Sequence, residues 1–189
     1  MQSLLSEVKQ CQVCEKYLPA GCRPVVSASP KSKILIIGQA PGRKVHESGI
    51  PWDDQSGDNL RKWLGVSKEA FYNSDIFGII PMGFCYPGTG KSGDLPPRPE
   101  CAPLWHEKLL SEMNDVRLTL LFGQYAIKHY LGKSAKPTLT ETVKNHKVYL
   151  PDYLPLPHPS PRNNIWMKKN GWCGEEILPI IKEIVRPFL

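Results

Sequence analysis

A short apolar run, Ile34-Leu35-Ile36-Ile37, preceded by Lys33 and stopped by Gly38, constrains what this chain can fold into more than any other feature. It is too short for a buried helix and has no polar residue at alternate positions. It therefore predicts a strand covered on both faces, the environment of a parallel sheet. Three further stretches read as strands: Asp75–Ile80, Val116–Phe122 stopped by Gly123, and a proline-interrupted strand within Val148–Leu156. Helical spacing of apolar residues marks Gly57–Leu64, Pro103–Met113, Tyr125–Leu131 and Gly174–Val185. Strands alternating with helices predict an α/β fold: a three-layer sandwich whose central, mostly parallel four-stranded sheet carries helices on both faces. The 189 residues suit one domain, 1–189, with no internal repeat or linker to divide it.

In such a sheet, ligands sit outside the carboxyl ends of the strands. The first strand runs into Gly38-Gln39-Ala40-Pro41-Gly42, the second into Pro81-Met82-Gly83-Phe84-Cys85, and the fourth into Pro157-His158-Pro159-Ser160-Pro161-Arg162. Any one of these loops alone reads as a tight turn. All three together predict a functional edge. The prolines concentrate between Pro81 and Pro103 and between Pro151 and Pro161, with aromatics and cysteines among them, as in ordered loops rather than disordered tails.

Gly38-Gln39-Ala40-Pro41-Gly42 after a strand, and His158-Pro159-Ser160-Pro161 about 120 residues later, resemble the two signature motifs of uracil-DNA glycosylases. Gly49-Ile50-Pro51-Trp52 resembles the segment of that family whose aromatic ring stacks on the extruded base, with tryptophan where phenylalanine is usual. The resemblance runs from about Cys11 to Arg162. It implies a DNA-repair glycosylase, a monofunctional hydrolase that flips uracil or another deaminated base out of DNA and cuts its N-glycosidic bond. That cleavage builds positive charge on the sugar and negative charge on the departing base, so the site must stabilise both and position a water. By resemblance, His158 stabilises the anion and Trp52 supplies the stacking face. Backbone amides of Gln39 and Ala40 bind a base carbonyl, and Gly42 lets the chain approach closely. Phe84 offers a second ring for the base. Ser160, Arg162 and Lys91 would contact phosphate, with Asn163, Lys168 and Lys169 extending that surface.

The chain departs from the family where the water is activated. Gln39 stands where the iron–sulfur branch carries Glu, and Ala40 where other branches carry Asp or Asn. Another branch uses an aspartate just after the stacking aromatic, and Trp52-Asp53-Asp54 offers Asp54 first and Asp53 second. Both also suit capping of the helix that starts near Gly57. The asparagine that reads the uracil edge has no counterpart in Ile80-Pro81-Met82-Gly83-Phe84, which keeps uracil as the default and leaves hypoxanthine, xanthine or another deaminated base open. With no carboxylate in the first motif, a non-catalytic nucleic-acid- or nucleotide-binding protein of the same fold is the competing reading. A nucleotide hydrolase is disfavoured: Gly88-Thr89-Gly90-Lys91-Ser92-Gly93 lacks phosphate-loop spacing, and Pro96, Pro97 and Pro99 replace the helix that should follow. That segment reads as a flexible loop.

Cys11-x-x-Cys14 has the spacing of a metal clip. With Cys85 and Cys101, fifteen residues apart, it resembles the iron–sulfur branch, which implies a [4Fe–4S] cluster on Cys11, Cys14, Cys85 and Cys101. Zinc on the same thiolates, or buried free thiols with no metal, are the alternatives, and Cys22 competes as a ligand. The N-terminus has no apolar signal core, and no run approaches the ~18–20 apolar residues of a membrane span, so a cytoplasmic monomer with no membrane partner is expected. The net charge of +6 suits a polyanion such as DNA without requiring one.

Overall fold

The computed structural model describes residues 1–189. Its centre is a four-stranded sheet in the order β2 (Phe77–Ile79), β1 (Ile34–Ile37), β5 (Leu118–Phe122), β6 (Tyr153–Leu156), with every neighbouring pair parallel. The short strands β3 (Thr89–Gly90) and β4 (Gly93–Asp94) form a separate hairpin.

Side chains of a strand alternate between faces, and here each face carries its own core. Leu35, Ile37 and Leu121 point to one side, under α1 (Gln2–Lys9), α5 (Cys101–Ser111) and α6 (Gln124–Leu131). Ile34, Ile36, Leu118, Leu120 and Phe122 point to the other, under α3 (Gln55–Leu64), α4 (Lys68–Tyr72), α7 (Leu139–Lys144) and α9 (Leu178–Val185). The result is the expected three-layer α/β sandwich. Two short helices, α2 (Arg43–Ser48) and α8 (Asn164–Lys169), lie at the sheet's carboxyl edge, just after the Gly38–Gly42 and His158–Arg162 loops.

Several boundaries differ from the sequence expectation for local reasons. The fourth strand is confined to Tyr153–Leu156, because Val148 and Tyr149 belong to a single helical turn, His146–Tyr149. Pro155 is tolerated inside β6 because that strand lies at the sheet edge. The segment expected to be a flexible loop, Gly88–Gly93, is instead part of the β3–β4 hairpin. Gly93, at φ 134°, supplies the backbone conformation its turn needs, and Leu95 N–H donates to the Gly88 carbonyl at 2.8 Å to close it.

The chain lays down β1, adds β2 on one side, then crosses over to place β5 on the other. The sheet therefore has a topological switch point between β1 and β5, which is where such sheets open a crevice at their carboxyl edge.

Candidate active site

A cavity of about 430 Å³ occupies that crevice. The loop after β1 forms its floor through Gly38, Gln39, Ala40, Pro41 and Gly42. Pro81 closes the side after β2, His158, Ser160 and Arg162 come from the loop after β6, and Trp52, Asp54 and the hairpin residue Asp94 complete the wall.

His158 is oriented from three directions. Its ring stacks on Trp52 with centroids 5.3 Å apart and 29° between planes. Its Nδ1 accepts the Ser160 backbone N–H at 3.2 Å. Asn163 Nδ2 donates to the His158 carbonyl at 2.7 Å, and Asn59 Nδ2, from α3, donates to the Pro159 carbonyl at 3.0 Å. Because Nδ1 is an acceptor, the neutral ring carries its proton on Nε2. Burial pushes the imidazole pKa down to about 4, against a small opposing pull from Asp54, so the ring is neutral near pH 7. A neutral imidazole with a fixed Nε2–H is a hydrogen-bond donor to a developing anion that does not hand over a full charge.

Trp52 is the one non-glycine residue with positive φ, 56°. Such a conformation costs an L-residue about 1–2 kcal/mol, and its surroundings impose it. Arg61 Nη1 donates to the Trp52 carbonyl at 3.3 Å, and that carbonyl lies where a Cβ at Gly57 would be. The indole edge passes 2.9 Å from the Cβ position of Gly38, so only glycine fits beneath it. Its far side packs edge-on against Phe122, 5.9 Å away.

The two adjacent aspartates separate. Asp53 turns away from the cavity and pairs with Lys68 at 3.8 Å. Asp54 is the N-cap of α3, its Oδ1 accepting the Gly57 N–H at 2.9 Å. Its Oδ2 faces Gly42 across the cavity, 4.0 Å from where a Cβ would stand. Capping and a place in the site are thus not alternatives, since one oxygen serves each.

Other expected residues lie elsewhere. Phe84 is 1% exposed, stacks on His106 at 5.8 Å, and lines the cysteine cavity rather than the large one. This corrects its assignment as a base-stacking ring. Lys91 is exposed at the hairpin turn and does not line the cavity. In contrast, Asp94 and Asn59 drew no notice in the sequence and belong to the site or its support. Asp94 sits on a two-residue strand with no pattern to reveal it, and Asn59 is one polar residue on an otherwise amphipathic helix.

Cys11, Cys14, Cys22, Cys85 and Cys101 line a second, nearly filled cavity of about 10 Å³, together with Pro24, Phe84 and Arg98. Cys14 Sγ donates to Glu100 Oε2 at 3.7 Å, and Arg98 holds the same carboxylate at 2.5 Å. Burial pushes the thiols up, Cys14 to about 11 and Cys85 to about 12. The donor set is that of a thiolate-bound metal, but no group of three or more His, Cys, Asp or Glu side chains is arranged to hold an ion as the thiols now pack. No helix is long and apolar enough to cross a membrane.

Comparison with known families gives a match to the model described as the uracil DNA glycosylase superfamily over residues 26–182. That range spans the whole parallel sheet and every residue lining the large cavity except Val25.

Proposed function

Since this chain belongs to the uracil DNA glycosylase superfamily, we propose that it is a DNA glycosylase that hydrolyses the N-glycosidic bond of uracil or another deaminated base. The observation that carries this reading is His158: a neutral, Nε2-protonated imidazole stacked on Trp52 inside the switch-point cavity. The base is flipped into the cavity at a cost of a few kcal/mol. There the indole of Trp52 offers it a stacking face, and the amides of Gln39 and Ala40 offer donors for a carbonyl. As the bond to the sugar breaks, its electron pair moves onto the base, and His158 Nε2–H donates to the oxygen where that charge collects. Ser160 and Arg162, at the mouth, take the flanking phosphates. Asp54 Oδ2, free of the capping bond, accepts from the water that attacks the sugar.

Cleavage assays on oligonucleotides that each carry one uracil, hypoxanthine, xanthine or normal base, followed by alkali, test the reading and name the base. Scission at one lesion, lost in His158→Ala, supports it. DNA binding with no scission at any lesion would favour a non-catalytic binding protein, the reading suggested by the carboxylate-free Gln39-Ala40 pair.

We further propose that Cys11, Cys14, Cys85 and Cys101 hold a [4Fe–4S] cluster. Its contribution would be structural, tying the N-terminal segment to the loop and helix that carry Cys85 and Cys101. What supports it is the convergence of these distant thiols on one cavity. A cluster would have to displace the thiols that now fill that space. Iron analysis and the visible absorbance of anaerobically purified protein are expected to show about four irons per chain, lost in Cys85→Ser. Stoichiometric zinc instead of iron, or a Cys85→Ser protein with full metal, would overturn the assignment.

A further inference from the structure

We propose that Asp94 is a second catalytic carboxylate of this site, taking the proton from a water held between it and Asp54. The proposal rests on the glycosylase reading above and deepens it.

The hairpin brings Asp94 to the cavity. β4 ends on this residue, with Asp94 registered against Thr89 and Leu95 N–H tied to the Gly88 carbonyl. Thr89 is fixed in turn by its hydroxyl, 2.5 Å from Tyr86 Oη. Asp94 Oδ2 then stands 3.4 Å from the Cβ position of Gly42, and Asp54 Oδ2 stands 4.0 Å from the same point. Two carboxylate oxygens from unrelated elements thus converge on the notch left by a glycine of the first motif. Both lie within 4.0 Å of that one point, so no more than two waters are needed to bridge them.

The two carboxylates are not equivalent. Asp54 has one oxygen committed to the Gly57 N–H, which fixes its direction and makes it an orienting acceptor. Asp94 takes part in none of the molecule's ion pairs. The charged groups facing it are Arg162 and Arg43, which favour its ionised form, and Asp54, which opposes it. Asp94 is solvent-exposed overall, but desolvation of its carboxyl outweighs the arginines and raises its pKa above the usual carboxylate value. A carboxylate with raised proton affinity is the better base. A DNA phosphate on Arg162 would neutralise one of the two arginines and raise that affinity further.

The step balances as follows. The water oxygen bonds to the sugar C1′, and the C1′–N bond breaks with its electron pair leaving on the base. One water proton passes to Asp94, and the other remains on the new C1′ hydroxyl. His158 Nε2–H holds the base anion by hydrogen bond until it is protonated, and the Asp94 proton returns to solvent.

The experiment is single-turnover cleavage, at saturating enzyme and from about pH 4.5 to 8, of whichever lesion the wild type cuts. Wild type, Asp94→Asn, Asp94→Ser and Asp54→Asn are compared, with DNA affinity measured by fluorescence anisotropy. Both Asp94 variants are expected to lose about 100-fold or more in rate and to lose the acid-side fall of the pH profile, with affinity changed by less than about twofold. Wild-type rates in both, with any deficit confined to DNA affinity, would show that Asp94 only steers Arg162, and the proposal would fall alone. A wild type that cuts no lesion would overturn the glycosylase reading and this proposal together.

Discussion

At the scale of single residues, His158 carries the largest expected effect. Removing one preorganised donor to a developing oxyanion costs about 100- to 1,000-fold in rate, or about 3–4 kcal/mol. His158→Ala should therefore slow single-turnover cleavage by that factor and leave DNA affinity nearly unchanged, since Ser160 and Arg162 still meet the phosphates. A rate within about threefold of wild type would remove His158 from the mechanism. His158 and Trp52 were legible in the sequence because each lies in a short motif directly after a strand or inside a glycine-bounded segment. The sequence ranks Asp54 ahead of Asp53, but the motif does not by itself separate them. Their separation depends on which one takes the extended N-cap conformation, here φ −151°, and that is set by the helix behind it. Phe84 was misplaced because the loop after β2 turns between Pro81, which lines the large cavity, and Phe84, which packs on His106 and lines the cysteine cavity.

At the scale of elements, α3 links stability to chemistry through Asp54. Asparagine caps a helix about as well as aspartate, whereas alanine in that position costs about 1 kcal/mol. Asp54→Asn is therefore expected to keep the thermal midpoint of the wild type while losing cleavage. Asp54→Ala should lose both, with a drop of about 2–4 °C for a chain of this length. Equal activity in Asp54→Asn and wild type would leave Asp54 a cap and nothing more. The core-bearing elements were readable because β1 and β5 are continuous apolar runs and α3 and α9 repeat apolar residues with a helical period; all four appeared at nearly their observed positions. Apart from α1, whose polar and apolar residues mix without a clear stripe, the elements missed were short. α7 announces itself by the capping box Thr138–Glu141, but it has only two buried residues to give it a period. α2 buries only Val45, and the hairpin strands have two residues each, below the length at which alternation can be seen.

At the scale of the whole molecule, the sheet order turns local motifs into a site: the crossover between β1 and β5 opens the crevice, and β6 then brings His158 to its edge. The same close packing leaves neutral histidines inside the fold. His106 is 3% exposed, its Nε2 bonded to the Pro81 carbonyl at 3.1 Å and its Nδ1 to Tyr130 Oη at 2.7 Å. Burial lowers its pKa to about 4, the Pro81 bond opposing and His129 assisting, and burial lowers His146 as well. His158 shares the shift. The unfolded chain binds a proton at such a histidine below about pH 6.5, and the folded chain does not until about pH 4. Protons therefore favour unfolding throughout that window, and each pH unit within it costs about 1.4 kcal/mol per fully buried histidine. Carboxylates at their usual values stay ionised in both states above about pH 5, so the histidines dominate between pH 5 and 7. The thermal midpoint is expected to fall by about 5 °C or more from pH 7 to pH 5. His106→Gln, though less stable at pH 7, should show a visibly flatter dependence over the same interval. A midpoint independent of pH in the wild type, or an unchanged slope in His106→Gln, would show that the buried imidazole is not the group linking proton binding to folding.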